Sequence, residues 1–391
     1  MRASAAAAAD GMAGDDDGDC AMLEPFFYDE AATVAEATAA AERRERERQE
    51  WAREKAARAK RWAAREAVLN SIKEYDTDEG RYIYTRYYFD DDLDLDEESL
   101  LAPMRFTATT YAPGQALRFL CNMVNVLDIR IILPSDSDDD AAAAAFGFPI
   151  SVYGSVIARD MLDLKCIPLF RRSRDHPQLI TSQDELSLIL TGPHRGLLLS
   201  DAIYIEVDLK VKMQEGCEDR PVSKGLLVLD GVRLTTSSTH LQTVVKTTTL
   251  MRRSFRPCTV DVTYAFLRCA VEATISVKLL HQGAHFCGQI TACTSTIQDS
   301  ILLHDSKLLA DTGLMDDGFT IRLMRRVIAV CLYEMLIVTI VAQTGDGANK
   351  YRRTIDFTPT VNGEDEAQIT CGATSLLVKV NWSLMDPVID Q

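Results

Sequence analysis

The chain has 391 residues, 42 basic against 58 acidic side chains, a formal net charge of −16 and 47% hydrophobic residues. This length and apolar content predict two or three domains with real cores, and they exclude a fully disordered chain and a collagen-like fibre. The negative net charge argues against a protein that binds nucleic acid over its whole surface, because phosphate backbones repel a negatively charged protein.

The N-terminal part of the sequence changes composition twice. Residues 1–29 are rich in Ala, Asp and Gly, which predicts a disordered tail. Residues 30–74 consist mostly of Ala, Glu, Arg and Lys without Gly or Pro, which predicts a long charged helix. Residues 41–73 carry 11 basic and 6 acidic side chains, so the rest of the chain carries −21.

The apolar stripe of this predicted helix is thin and does not repeat as heptads, which argues against a strong coiled coil. Its members are Trp51, Trp62, Leu69 and Ile72. A solvated charged helix is the favoured interpretation. A weak helical partner site and a basic nucleic-acid or nuclear-import segment are the alternatives.

Residues 75–103 form what we call the connector, which combines aromatic and acidic residues. Its aromatic residues indicate an extended segment packed on another part of the protein; they are Tyr82, Tyr84, Tyr87, Tyr88 and Phe89. The acidic run 90–98 indicates a solvated loop or a helix start.

From residue 104 the sequence is typical of β-strands. Residues 203–211, 271–279 and 376–384 alternate apolar and polar side chains, so one face of each strand is expected in a core and the other in water. Shorter strands are predicted around 104–110, 148–158, 187–191, 225–230, 259–267, 286–293, 298–304, 326–333 and 335–343. The predicted fold is mainly β, an antiparallel β-sandwich that is either one large sandwich or two adjacent ones, with parts at 104–234 and 257–388 and a linker at 235–256.

The most polar concentration in the β region is a charged cluster that could bind a phosphate or carboxylate through guanidinium groups. Its members are Arg159, Asp160, Asp163, Arg171, Arg172, Arg174 and Asp175. A structural network that fixes a loop is favoured over a ligand site, because the acids nearly balance the bases.

Other candidate chemistry is weak. No D-x-D-x-D-G calcium loop occurs, and His281 and His285 flank a glycine that indicates a hairpin turn rather than a zinc-binding helix. The ten cysteines form no C-x-x-C pair, and several lie in strand-like runs where a reduced thiol packs as a small apolar group. We therefore expect no cofactor and no metal.

The localisation follows from missing signals. The N-terminus lacks the regions of a secretory signal, and its acidic residues argue against a transit peptide. The most apolar stretch, residues 327–342, contains Glu334 and is shorter than the roughly 20 residues of a membrane span. We expect a soluble cytoplasmic protein, with the nucleus as the alternative, and no membrane partner.

Several spaced motifs resemble those of one plant family. They are VYGSVIARD (152–160), LD (162–163), RRSRD (171–175), LTGP (190–193) with RG (195–196), DAIYIEVDLK (201–210), SKG (223–225), AVEATI (270–275) and VKVNWS (378–383). In this order they resemble a grass-expanded family known as domain of unknown function 6598, over about residues 104–386. The resemblance implies a plant setting and a possible role in stress or defence.

Some members of that family look fused behind a ribosome-inactivating N-glycosidase domain of the jasmonate-induced type. That glycosidase needs an E-A-x-R helix, but Glu66-Ala67 and Glu272-Ala273 are not followed by the Arg. We therefore expect a non-catalytic binding or interaction module with an unknown protein partner, and nucleic acid is an unlikely ligand. The alternative is a hydrolase that uses an unrecognised loop carboxylate or Cys site.

Overall fold

The computed structural model describes residues 29–385 except 78–79, 89–93, 113, 134–146, 215, 238–242, 251–257, 282–285, 309–313, 316, 344–349 and 373. The predicted tail 1–29 therefore lies, apart from Asp29, outside the described residues, as does His285. The chain divides into two compact units, Met1–Arg65 and Glu66–Gln391.

One long helix, α1 (Glu30–Ser71), dominates the N-terminal sequence and confirms the helix predicted there. The Asp29 carboxylate accepts hydrogen bonds from the amides of Ala31 and Ala32, at 3.0 and 3.1 Å, and so caps the first turn. None of the α1 side chains is buried. No helix in the described part of the chain is long and apolar enough to cross a membrane.

The second unit is built from antiparallel strands. The described strands are β1 (Lys73–Asp76), β2 (Arg81–Tyr84), β3 (Cys121–Ile132), β4 (Ile150–Arg159), β5 (Ile167–Arg172), β6 (Gln178–Ile180), β7 (Leu197–Leu198), β8 (Ala202–Val211), β9 (Arg220–Asp230), β10 (Val244–Leu250), β11 (Thr259–Leu279), β12 (Gly288–Thr294), β13 (Ile301–Asp305), β14 (Val327–Cys331), β15 (Leu336–Gln343), β16 (Lys350–Phe357), β17 (Gly363–Cys371) and β18 (Thr374–Ser383). A short helix, α2 (Gly231–Ser237), follows β9, and 3-10 turns occur at Ala116–Phe119 and Gln183–Glu185.

Strand β11 is shared by two sandwiches. It belongs to a seven-stranded sheet, in which β3 and β10 pair with its first half and β14 and β18 with its second half. The first half packs against a five-stranded sheet of order β5-β4-β8-β9, with β6 beside β4. The second half packs against a four-stranded sheet of order β13-β12-β15-β16. The predicted fold class, mainly β with antiparallel sandwiches behind a helix, is confirmed.

A bulge divides β11 between the two cores. Val260 and Phe266 point into the first core and Val271 and Val277 into the second, so the positions that face these two cores change from even to odd numbers. The change coincides with a register shift between Leu267 and Ala270, where an extra residue resets the alternation. One continuous strand can thereby serve both cores.

The core predictions from alternation are confirmed. The side chains predicted to be internal are all buried, namely Ile205, Val207, Val277, Val378 and Trp382. Two shorter strand predictions are wrong: residues 104–110 form turns, and residues 187–191 make only one isolated bridge to β3. The predicted linker 235–256 contains the end of α2 and strand β10 in its described part.

The connector lies on the outer face of the five-stranded sheet. The Tyr87 ring stacks on the Tyr204 ring of β8 with a centroid distance of 3.5 Å, and Glu98 forms a bridge with Cys166. The predicted packing of an aromatic segment is confirmed at Tyr87, whereas Tyr82 and Tyr84 are exposed in the β1–β2 hairpin. The polar face of β8 is therefore partly covered by protein rather than by water.

Candidate functional site

A row of four polar side chains crosses the outer face of the five-stranded sheet. Ser155 of β4 is paired in register with Arg171 of β5 and with Asp208 of β8, and Asp208 is paired with Lys224 of β9. Residues opposite each other on neighbouring strands have Cβ atoms about 5 Å apart. The sheet therefore fixes a cation, a hydroxyl, a carboxylate and a second cation in line; we call this the floor row.

A glycine brings the two central strands of the floor row together. Gly154, next to Ser155, has a φ of +119°, a backbone conformation that other residues rarely adopt. A Cβ atom at this position would lie 2.1 Å from the carbonyl oxygen of Asp208. The glycine of the VYGSV motif is therefore required by the close approach of β4 and β8.

The connector lies beside the floor row, and the two line a partly open cavity of about 470 Å³. The cavity is lined by Thr85, Arg86, Asp96, Glu98, Ser155, Ile157, Cys166, Arg171, Glu206, Val207, Asp208 and Lys224. Its volume lies within the range of roughly 300–1,000 Å³ that is usual for small-molecule sites.

A buried carboxylate joins the connector to the sheet on one side of the cavity. Glu206 accepts hydrogen bonds from Arg159 Nε at 2.7 Å, from Arg86 Nε at 2.7 Å and from the Tyr87 amide at 3.0 Å. Burial alone would lower the pKa of Arg86, but attraction to Glu206 and Asp96 outweighs it and raises the pKa. Arg159, which is fully buried, also donates to the carbonyls of Leu95 and Leu164.

A second buried ion pair lies next to the first. The fully buried Asp160 carboxylate accepts two hydrogen bonds from Arg195, at 2.6 and 2.8 Å, and one from the Leu198 amide at 2.9 Å. Arg195 also donates to Asp163 Oδ1 at 3.2 Å and to Ser99 Oγ at 3.2 Å. Burial would lower the pKa of Arg195, but its bonds to Asp160 raise it.

The remaining members of the predicted charged cluster lie apart from these pairs. Arg171 forms an ion pair with Glu98 of the connector, and Arg174 pairs with Asp219 at 2.7 Å. Arg174 and the Tyr153 hydroxyl hold the pKa of Asp219 well below its usual range.

Two further members of that cluster do not join either ion pair. The Nε atom of Arg172 is buried without a hydrogen-bond partner among the described residues, and Asp175 is exposed. The structure thus brings Asp160 and Asp163 together through Arg195, and places Arg159, Arg171 and Arg174 in separate ion pairs.

The acids and bases of the cluster have partners that lie far away in the sequence. The partners that sequence reasoning missed are Glu206, Arg195, Glu98 and Asp219. Arg195 and Glu206 do belong to the RG and DAIYIEVDLK motifs, but Glu206 was expected to face water. No local signal locates Glu206, because its place in the alternation of β8 is that of a side chain facing water.

Within the cavity, two floor-row groups remain available to a ligand. Lys224 donates to Glu74 at 2.9 Å, Arg171 pairs with Glu98, and Arg86 pairs with Glu206 and Asp96. Asp208 and Ser155 form no side-chain hydrogen bond or ion pair with any residue that the structure describes. As far as the described residues go, the cavity therefore presents one unpaired carboxylate, Asp208, beside one hydroxyl, Ser155.

The cavity thiol is poorly suited to nucleophilic attack. Burial raises the pKa of Cys166, and its thiol donates to the Leu95 carbonyl at 3.1 Å. A catalytic thiol needs a lowered pKa, because the thiolate is the nucleophile. Among the described residues, no group of three or more His, Cys, Asp and Glu side chains is arranged to hold a metal ion.

A family model described as domain of unknown function DUF6598 matches residues 123–380 of this chain. The match covers both sandwiches and the floor row, whereas α1 and the connector precede it. No curated protein matches the chain significantly. A solved structure of human GIVD cytosolic phospholipase A2 in complex with methyl gamma-linolenyl fluorophosphonate aligns at 11% identity with 68% of this chain and 32% of that chain. This chain spans about a third of the length of the phospholipase. The TM-score of the alignment is 0.18, and so weak a likeness carries no argument about function.

Proposed function

Because the chain belongs to the DUF6598 family, whose description assigns no activity, we propose a function from the cavity itself: the β region is a non-catalytic binding module for a small polar ligand that carries an amino group. The observation that carries the proposal is the unpaired Asp208 carboxylate in a cavity whose three cations already have acidic partners.

The charge of the cavity defines the class of ligand. Its lining has three basic side chains against four acidic ones, and the surplus acid is Asp208. An ammonium group beside Asp208 would form a charge-assisted hydrogen bond, which is stronger than one between neutral groups. The Ser155 hydroxyl on the neighbouring strand could then bond a hydroxyl or carbonyl of the same ligand.

The same geometry disfavours hydrolysis. General acid–base catalysis needs a titratable group that is free to exchange a proton with the substrate. Glu206 is held by three donors and the Cys166 thiol has a raised pKa. Asp208 alone is available, without an adjacent base or activated nucleophile among the described lining residues.

The test is isothermal titration of the full chain with three sugars of similar size: glucosamine, glucose and glucuronate. Glucosamine is expected to bind more tightly than glucose, and glucuronate is expected not to bind. Asp208→Asn should weaken glucosamine binding about tenfold or more, because a hydrogen bond to a charged group is worth about 1.5–3 kcal/mol.

Asp201→Asn is the matched control, since Asp201 is an exposed carboxylate just before β8 and does not line the cavity. Binding that is equal in the two variants, or equal for the three sugars, would contradict the proposal. NMR spectra of the bound sugar should stay unchanged on prolonged incubation; conversion that depends on Asp208 or Cys166 would instead favour the hydrolase.

A further inference from the structure

Helix α1 carries a ridge of basic and aromatic side chains at coiled-coil spacing. Within the unit Met1–Arg65, successive steps of four and three residues connect Arg44, Arg48, Trp51, Lys55, Arg58, Trp62 and Arg65. With 3.6 residues per turn, alternate steps of four and three keep side chains on one side of a helix. We call these seven residues the basic-aromatic ridge.

The two tryptophans of the ridge are exposed on a helix that buries none of its side chains. Trp51 is 62% and Trp62 is 68% exposed, although both indoles are large apolar groups. Lys55 Nζ lies 5.0 Å from the centroid of the Trp51 ring, within cation–π range. Trp and Arg are the residues most enriched among those that dominate binding energy at protein interfaces.

The charge of the ridge selects its occupant. Five of the seven residues are basic and none is acidic, although residues 41–73 contain six acids. A second copy of the helix in parallel register would place cation against cation, which is destabilising. We propose that the basic-aromatic ridge docks an acidic helical segment of a partner protein, with apolar residues over the tryptophans and carboxylates over the cations.

A protein helix fits the ridge better than a nucleic acid does. Glu45, Glu47, Glu50 and Glu54 lie on the adjoining faces of α1, so the positive strip is only one ridge wide. A duplex carries a negative charge about every 1.7 Å and would be repelled by these glutamates on either side of the ridge. A partner helix would contact α1 only along a narrow strip, and its acidic residues can all lie on the face that contacts the ridge.

The test uses the full chain and a designed 28-residue peptide with leucine at the positions facing the two tryptophans and glutamate at those facing the cations. Only three tryptophans occur in the sequence, and the third, Trp382, is fully buried. Docking should therefore shift the emission of Trp51 and Trp62 to shorter wavelength. A scrambled peptide of the same composition should bind about tenfold more weakly, because the spacing is lost.

Two triple variants with the same change of net charge separate the ridge from general electrostatics. The ridge variant is Arg44→Glu, Lys55→Glu and Arg58→Glu. The matched control reverses three cations on the opposite side of α1, namely Arg46→Glu, Arg53→Glu and Lys60→Glu. The ridge variant should lose peptide affinity about tenfold or more, while the control should change it less than about threefold. Far-UV circular dichroism of both variants should match the parent chain, since all six side chains are exposed.

Three results would overturn the proposal. Equal losses in the two triple variants would mean that the peptide senses only net charge. Tighter binding of a 20-nucleotide oligo-dT, abolished in the ridge variant, would make the ridge a nucleic-acid surface. Ridge-dependent dimers in sedimentation without peptide would make a second copy the occupant.

Discussion

Asp160→Ala removes the central acceptor of the buried ion pair beside the connector. The carboxylate accepts two hydrogen bonds from Arg195, at 2.6 and 2.8 Å, and one from the Leu198 amide at 2.9 Å. Without it, the one ion pair left to the fully buried Arg195 among the described residues is that with Asp163 at 3.2 Å. A buried ion that loses its partner costs about 3–5 kcal/mol. We expect the free energy of unfolding to fall by about 4 kcal/mol, which is a large fraction of a typical stability of 5–15 kcal/mol.

Urea unfolding followed by far-UV circular dichroism measures this loss. Arg171→Ala is the control, because Arg171 belongs to the same sequence cluster but its ion pair with Glu98 is about half exposed. An exposed pair contributes about 0–1 kcal/mol, so the control should remain close to the parent chain. A loss below 1 kcal/mol in Asp160→Ala, or equal losses in both variants, would refute the structural interpretation of the pair.

Three further outcomes are expected. Trp382→Ala should lower the free energy of unfolding by about 3–5 kcal/mol, because the ring is fully buried and its Nε1 donates to Asp365 at 2.9 Å. A urea unfolding midpoint equal to that of the parent chain would contradict this. Gly154→Ala should lower the melting temperature, since its Cβ would meet a carbonyl of β8 at 2.1 Å, and wild-type melting would show that the strands can separate without cost. His304 has a pKa below its ordinary value of about 6.5 because of burial, so its folded form binds fewer protons than its unfolded form. The free energy of unfolding should therefore fall as the pH falls below about 6.5. His304→Asn should make it depend less on pH between about 7.5 and 5.5. An unchanged slope would contradict the lowered pKa of His304.

The elements that were predicted correctly are those with a local signal. Strict alternation located β8, the second half of β11 and β18, because a strand with one face in a core repeats every two residues. The absence of Gly and Pro located α1. Strand β16 was not predicted, since seven of its eight side chains are not buried and its sequence has no apolar alternation.

The candidate site was predicted only in part, because its contacts join distant residues. Arg159 and Asp160 were recognised as a cluster, but they pair with Glu206 and Arg195, which lie 47 and 35 residues further along the chain. The sequence places Arg159 and Asp160 next to each other, whereas the structure directs them to different partners. Spacing alone cannot reveal that the connector returns over the outer face of the sheet.

Arg86 links the stability of the connector to the proposed ligand site. Its guanidinium bonds Glu206 of the sheet and Asp96 of the connector, and the same side chain lines the cavity. A ligand at Asp208 can also contact Arg86 and Asp96 only while the connector lies on the sheet. By linkage, a ligand that binds only while the connector is docked on the sheet stabilises the docked connector, by a free energy that grows with ligand concentration relative to Kd. The family match begins after the connector, so the floor row lies within the matched region while the connector residues that line the cavity do not. If the proposed ligand binds at Asp208, its specificity should depend on residues of both parts.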